Sequence, residues 1–240
     1  MSSALVVART GEVTRLTLNR PEKANALSIE LIEALIAAVR ASFTDGTRLL
    51  VITGEGRNLC SGFDMSDLES ASEGDLLRRA VRIEMLLKEV YHAPIATLAF
   101  THGRNFGAGA DLFAVCGTRI ASPEASFRMP GLRFGLQLGT RRLAQRIGGE
   151  AARMLLAESA TFGAEDALRV RFATGIAPQA DWNATVERTL ASATALPADS
   201  FARLLSATVT DTRAIDMADL VASFSETGIK QRIKDYRERG

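Results

Sequence analysis

The sequence predicts an α/β fold, and three observations carry that prediction. Short apolar runs of strand length occur at Ala4–Ala8, Val13–Leu18, Leu49–Thr53 and Ile95–Phe100. Segments of helical periodicity separate them, and after Trp182 the strand signal stops while helical patterns continue. At 240 residues, 47% of them apolar, the chain is long enough to bury a substantial core.

The elements follow in order. Ala4–Ala8 and Val13–Leu18 begin the chain as strands. Ser28 is placed to cap a helix through about Ser42, with Leu31, Leu35, Ala38 and Val39 on one face. Leu49–Thr53 is the next strand, and the polar stretch between Gly54 and Gly74 is a loop by which a substrate could enter. Leu76, Leu77, Ala80, Ile83, Leu86, Leu87 and Val90 mark a longer amphipathic helix ending near Pro94. Ile95–Phe100 is a strand, the apolar run Ala110–Cys116 a buried helix, and Thr140–Ile147 and Ala151–Ala157 are shorter helices. Pro197 divides the helical patterns that follow Trp182. No linker and no repeat interrupts the chain, so the expected organisation is a core over residues 1–180 and a C-terminal helical region over 181–240.

Composition excludes several classes of function. Lys plus Arg (29) nearly balances Asp plus Glu (28), which removes the basic excess that non-specific nucleic-acid or membrane-surface binding needs. The two cysteines, Cys60 and Cys116, lack CxxC spacing, so neither a disulfide framework nor a metal site is expected. The N-terminus has no signal-peptide pattern and no apolar stretch reaches spanning length. A soluble, cytoplasmic protein without a permanently bound cofactor is the expectation. Gly103, Gly107 and Gly109 do not form G-x-G-x-x-G, and no GxSxG elbow occurs, which argues against dinucleotide binding and a serine nucleophile.

The segments that carry chemistry are Leu59-Cys60-Ser61-Gly62-Phe63-Asp64 and His102-Gly103-Arg104-Asn105-Phe106-Gly107-Ala108-Gly109-Ala110-Asp111. Each sets a glycine-containing turn after a β-type run, a way to aim backbone N–H groups into a cavity. Two such donors converging on one point stabilise an oxygen that gains negative charge, each worth roughly 10²–10³ in rate. The second turn also opens into a helix, whose N-terminal partial charge adds to the same spot.

These blocks resemble the crotonase, or enoyl-CoA hydratase/isomerase, superfamily. Asn19-Arg20-Pro21-Glu22-Lys23-Ala24-Asn25-Ala26-Leu27-Ser28 is similar to its N-terminal block. Ser122-Pro123-Glu124-Ala125-Ser126-Phe127, Gly139-Thr140-Arg141-Arg142-Leu143 and Ala164-Glu165-Asp166-Ala167-Leu168 follow in the family's order, so the resemblance covers nearly the whole chain and weakens only after about Pro178. It implies a crotonase-like spiral of ββα units with a C-terminal helical region, assembled as a homotrimer or dimer of trimers. It also implies a small-molecule acyl-CoA substrate whose thioester oxygen lies between the N–H groups of Phe63 and Ala108. Lys23, Ala24, Ala26, Ser61, Gly62, Asp64, Met65, Gly107, Pro130 and Gly131 are then expected to bind the coenzyme A thioester. Asp64 can alternatively cap the turn at Ser66. Ala108 departs from the family's usual glycine; its N–H survives, while its methyl narrows the pocket.

Asp111 stands where the family carries a catalytic carboxylate. In an apolar pocket its proton affinity rises and it becomes a better acceptor. The family's second glutamate falls on Gly131, after Pro130, so one of the two carboxylates that syn hydration requires has no side chain. Arg128, Arg133, Gln137 and Glu124 are candidates to replace it. His102 is expected to support its turn, His92 to end a helix, and Cys60 to be buried and inert. A double-bond isomerase or divergent hydratase is therefore favoured over an ordinary hydratase, ahead of a decarboxylase or hydrolase. A non-catalytic acyl-CoA binder is the competing class, and RNA binding, known in the superfamily, is opposed by the balanced charge.

Overall fold

A computed structural model describes residues 3–226 and 228–239. The hairpin β1 (Leu5–Thr10) and β2 (Val13–Leu18) turns at Gly11 and pairs antiparallel. Parallel strands are then added one at a time: β3 (Leu49–Gly54) on β2 and β4 (Ala96–Thr101) on β3. The sheet continues through β6 (Thr118–Ala121) to β9 (Gly175–Ile176), giving the order β1-β2-β3-β4-β6-β9. A small second sheet, β5 (Arg104–Phe106), β7 (Ser126–Arg128) and β8 (Phe162–Gly163), runs alongside in that order. After β4 and again after β6 the chain leaves the large sheet, adds a short strand to the small one and then turns into a helix, which is the ββα spiral.

The two-residue period of the large sheet sorts its side chains between two helical layers. Leu16, Leu18, Leu50 and Ile52 face the principal core with α1 (Ile29–Ser42), α2 (Glu73–Tyr91) and α3 (Ala108–Val115). Val13, Leu49, Val51, Leu98 and Phe100 face the other way, against α7 (Trp182–Thr194), where Trp182 stacks on Phe100. Each fully buried leucine or phenylalanine of these layers removes apolar area worth about 1.5–3 kcal/mol.

The strands expected from the sequence all form, within two residues of their expected ends. The Ser28 hydroxyl accepts from the Leu31 N–H at the start of α1, as expected of an N-cap. The helix α2 begins earlier than its apolar pattern, because Ser72 and Asp75 form a reciprocal capping box. The strands β5, β7, β8 and β9 are two or three residues long and carry no alternation that periodicity could detect.

Helices α4 (Thr140–Ile147), α5 (Gly149–Glu158) and α6 (Ala164–Arg169) complete the spiral, and α8 (Ala198–Thr208) follows Pro197. Two further helices, α9 (Arg213–Ser225) and α10 (Ile229–Arg239), return to the front of the molecule. There Leu220, Phe224, Ile229 and Ile233 pack on Leu68, Leu76, Ala80 and Phe134 of the same chain. Among the described residues no helix is long and apolar enough to cross a membrane.

Candidate active site

Side-chain amides build the first turn. Asn25, itself in the left-handed region, donates from Nδ2 to the carbonyls of Glu55 and Asn58, and Asn58 donates to the Ala24 carbonyl. The chain after Asn58 is thereby laid parallel to residues 24–27. The Leu27 N–H donates to the Gly62 carbonyl at 2.8 Å, and the Asp64 N–H to the Leu27 carbonyl at 3.4 Å. In this one-rung parallel bridge both bonds pass either side of Phe63, so the N–H of Phe63 faces the opposite way. It has no acceptor among the described residues. Gly62 allows the turn, with φ at +100° and the carbonyl of Phe106 only 2.5 Å from where a Cβ would sit.

The second turn is fixed from β5. The Gly107 N–H donates to the Arg128 carbonyl at 2.8 Å, and the first helical bond of α3 runs from the Asp111 N–H to the Gly107 carbonyl at 3.0 Å. The amide of Ala108, at the first helical position, is one of the donors a helix start leaves over, and no described residue accepts from it. Asn105 locks the two turns together. Its Oδ1 accepts from the amides of Leu59 and Cys60, while its Nδ2 donates to the carbonyls of His102 and Gly103. Gly109 is pressed so closely on the Cys60 carbonyl that a Cβ there would collide with the oxygen. The Cβ position at Gly62 lies 3.4 Å from the Ala108 nitrogen, so the turns carrying both free amides are in contact.

Both turns open on one cavity of about 340 Å³. Its wall is apolar: Leu76, Ala80 and Ile83 from α2, Met129, Phe134, Leu136 and Leu138 from the 129–138 segment, Phe224 from α9 and Ile233 from α10. Of the expected site residues, Ser61, Gly62, Phe63, Met65, Gly107, Ala108, Asp111, Pro130 and Gly131 line it. Asp111 is buried, its carboxylate has no hydrogen-bond partner among the described residues, and the other charged side chain on the wall is the exposed Arg237. Burial, partly opposed by Arg142 and reinforced by Glu84, pushes the Asp111 carboxyl up to about 8.

Lys23, Ala24, Ala26 and Asp64 lie outside that wall. Lys23 is exposed, and the Ala24 carbonyl sits directly behind the wall, accepting from the Ser61 N–H at 3.0 Å. The Ala26 carbonyl accepts from Arg20, which also pairs with Asp64 at 2.8 Å. Burial opposes ionisation of Asp64, yet hydrogen bonds from Ser66 and Arg20 hold its carboxyl below the usual range. Asp64 therefore caps the turn at Ser66, and Arg20 joins that turn to the Ala26 carbonyl.

No carboxylate stands at Gly131, where a Cβ would already lie 2.9 Å from the Leu136 carbonyl. None of the four candidate replacements lines the cavity. Arg128 donates to the Ser159 carbonyl, Arg133 to that of Glu158, Gln137 to Asp219, and Glu124 is exposed. His102 bonds the Gly56 carbonyl at 2.9 Å and His92 caps α2, so both serve the backbone. Cys60 is wholly buried, which pushes its thiol up to about 12 and keeps it inert. Among the described residues no cluster of three His, Cys, Asp or Glu side chains is placed to hold a metal ion.

Comparison with known proteins adds to this geometry. A sequence model of the family described as enoyl-CoA hydratase/isomerase matches residues 8–240. A probable enoyl-CoA hydratase of Mycobacterium bovis is 32% identical over 189 residues, covering 76% of this chain and 75% of that protein. The 2,3-dehydroadipyl-CoA hydratase of Escherichia coli is 27% identical over 73% of this chain and 70% of its own length. Among solved structures, a candidate enoyl-CoA hydratase/isomerase from Bordetella parapertussis superposes with a TM-score of 0.96 at 48% identity, covering 98% of each chain.

Proposed function

The chain belongs to the enoyl-CoA hydratase/isomerase family, and from that premise we propose that it is a single-carboxylate acyl-CoA enzyme working through a thioester enolate. It is an enzyme of a family that acts on acyl-CoA. The observation that carries the finer reading is the meeting, on one apolar wall, of two uncommitted amides and one buried carboxylate. The N–H groups of Phe63 and Ala108 receive the thioester oxygen and stabilise it as it becomes an enolate oxygen. The start of α3 adds its partial positive charge.

Asp111 carries the proton. With a 3-enoyl thioester, ionised Asp111 takes a proton from C2 and the electrons flow into the thioester oxygen as a dienolate. The same carboxyl then returns the proton to C4, leaving the double bond between C2 and C3. Atoms and charge balance without a second acid, and no water is consumed. Hydration needs a second carboxylate to hold and activate water, and Gly131 supplies none. Isomerisation, or a divergent hydration, therefore fits better than ordinary hydration, with decarboxylation or hydrolysis as the next alternatives. The wall accepts a hydrocarbon acyl chain; with Arg237 exposed, it offers no buried cation to a carboxylated tail. Coenzyme A would be held by Lys23, Ala24 and Ala26, with Ser61, Asp64 and Met65 around the thioester and adenine. Homotrimeric or dimer-of-trimers assembly is part of the same proposal.

The test is turnover on a panel of 2-enoyl, 3-enoyl, dienoyl and malonyl thioesters, followed by absorbance and mass. Conversion of 3-enoyl to 2-enoyl thioester, abolished in Asp111→Asn, is expected. Crotonyl-CoA hydration at a rate ordinary for the family would overturn the isomerase preference. Tight binding of acyl-CoA with no turnover of any thioester would establish a non-catalytic binder instead.

A further inference from the structure

Behind the start of α4, which touches Asp111, lies an ion cluster with a buried centre that the reaction just described does not use. Arg142, on α4, has a side chain only 4% exposed. Its two terminal nitrogens form a fork on Glu84 of α2, at 2.8 and 2.6 Å, and one of them also reaches Asp216 of α9 at 3.1 Å. Arg141 pairs with Asp216 and Asp219, and Thr212 donates to Asp216 at 2.6 Å. Arg141 and Arg142 thus face Glu84, Asp216 and Asp219, so the carboxylates outnumber the cations.

This cluster is tied to Asp111 by backbone. Gly139 caps α4 in the left-handed region, and a Cβ on it would collide with Oδ1 of Asp111. The carboxylate therefore rests against the start of the helix that carries Arg142 three residues further on. The other charged groups on elements packed against α3 are engaged elsewhere. Arg146 of α4 donates to the carbonyls at the far end of α3, Arg104 of β5 is exposed, and β4 carries no charged residue. On α2, Arg79, Arg82 and Glu89 pair with Asp67, Glu33 and Arg40. Glu73, Asp75 and Arg78 lie in its exposed first turns, and Lys88 in its last turn is half-buried.

We propose that Arg142 is a positioning residue for Asp111, its single charge held by Glu84 and Asp216 and acting on the Asp111 carboxylate at longer range, so that Glu84 and Asp216 decide how readily Asp111 ionises. The physical basis is weak screening. In a buried site opposite charges nearly cancel at a third group only while both are present. Removing the Glu84 charge leaves that of Arg142 uncovered and favours the Asp111 anion. Removing Arg142 leaves a carboxylate beside a carboxylate and disfavours it. Asp216 brings in α9, whose Phe224 lines the cavity, so the helix that closes the acyl pocket also takes part in setting its charge.

The proposal rests on Asp111 as the proton carrier, and its test does not depend on turnover. The Asp111 carboxyl is titrated by carbon-13 NMR in protein labelled at aspartate, with Asp111→Asn assigning the signal. Glu84→Gln should lower the midpoint by about one pH unit or more, as expected when an opposite charge is left within reach. Asp216→Asn should lower it less, Arg142→Met should raise it, and Arg142→Lys should restore it towards the wild-type value. An Asp111 midpoint unmoved in folded Glu84→Gln overturns the proposal, even should Arg142→Met fail to fold. Shifts as expected without turnover of any thioester would sink the isomerase reading alone. Loss of turnover in Asp111→Asn with no shift in Glu84→Gln would sink the coupling alone.

Discussion

The two working walls of the cavity are made in opposite ways. On one, backbone amides are aimed by turns that Gly62 and Gly107 permit locally, and Asn25, Asn58 and Asn105 fasten those turns to the neighbouring backbone. On the other, a single side chain, Asp111, acquires its character first from burial and then from charges that α2, α4 and α9 bring together from distant parts of the chain. In the proposed reaction the first wall receives the developing charge. The second carries the proton. A backbone donor survives most side-chain changes and fails only when the turn is strained, whereas a buried carboxylate changes with every neighbouring charge.

The sharpest way to break this division is to remove the carboxyl while keeping its shape. Asp111→Asn should cut turnover by about 10²–10⁴-fold, the usual worth of a positioned acid or base, while leaving binding of an acyl-CoA product close to wild type. Equal losses in turnover and binding, measured by steady-state kinetics and calorimetry, would mean that Asp111 holds the pocket together instead of carrying protons.

The amide wall is tested next. A methyl at Gly62 meets the Phe106 carbonyl and must adopt φ near +100°, so Gly62→Ala should rotate the Phe63 N–H out of line. A loss of about 10²–10³ in kcat is expected, the cost of one donor to a developing oxyanion. Asp111 should still titrate as in the wild type, because nothing on its wall has moved. A coincident shift of its midpoint would show that the walls are not independent.

The contrast also explains what the sequence discloses. The large strands, α1, and the residues flanking both turns are legible because each is set by local pattern: alternation, a serine cap, glycine after a β-run. The Asn25, Asn58 and Asn105 bonds leave no periodic signal, although a buried asparagine between two glycine turns is a residue to question. Arg142, Glu84 and Asp216 are illegible for a plainer reason. Each reads as an ordinary charge on an amphipathic helix, and only tertiary packing turns their charges inward. The absent carboxylate at Gly131 is visible in the sequence, whereas the contribution of α9 and α10 to the closing of the pocket is not.

The charge wall predicts a pH signature. Burial raises the Asp111 carboxyl to about 8, so the ionised base form grows about tenfold per pH unit below that value and levels off above it. An isomerase rate rising with pH to a midpoint near 8 is expected. Stability has the opposite sign. The folded chain holds the proton more tightly than the unfolded one, so this contribution is complete below the ordinary aspartate value. It is lost progressively as pH rises through about 8. Asp111→Asn, which has no such titration, should therefore gain on the wild type in denaturation midpoint between pH 5 and 8. A gap between the two proteins that does not widen over that range would contradict the raised proton affinity.

The smallest expected effect concerns the part of the cavity that belongs to neither wall. Beyond the reacting carbons lie Leu76, Ala80, Ile83, Leu136, Phe224 and Ile233, which can contribute only burial. Each methylene moved from water into such surroundings is worth about 0.8 kcal/mol, or about fourfold in kcat/KM. A homologous series of straight-chain thioesters should therefore climb in roughly equal logarithmic steps, then flatten once the space of about 340 Å³ is filled. An ω-carboxyl analogue of equal length should fall well below the line, since its charge would be buried without a partner. The same series run on Asp111→Asn should keep the slope and lose only the intercept, because apolar burial and proton transfer are supplied by different residues. A changed slope would mean that the tail and the carboxylate communicate through α2 and α9, the helices that line the pocket and also carry Glu84 and Asp216.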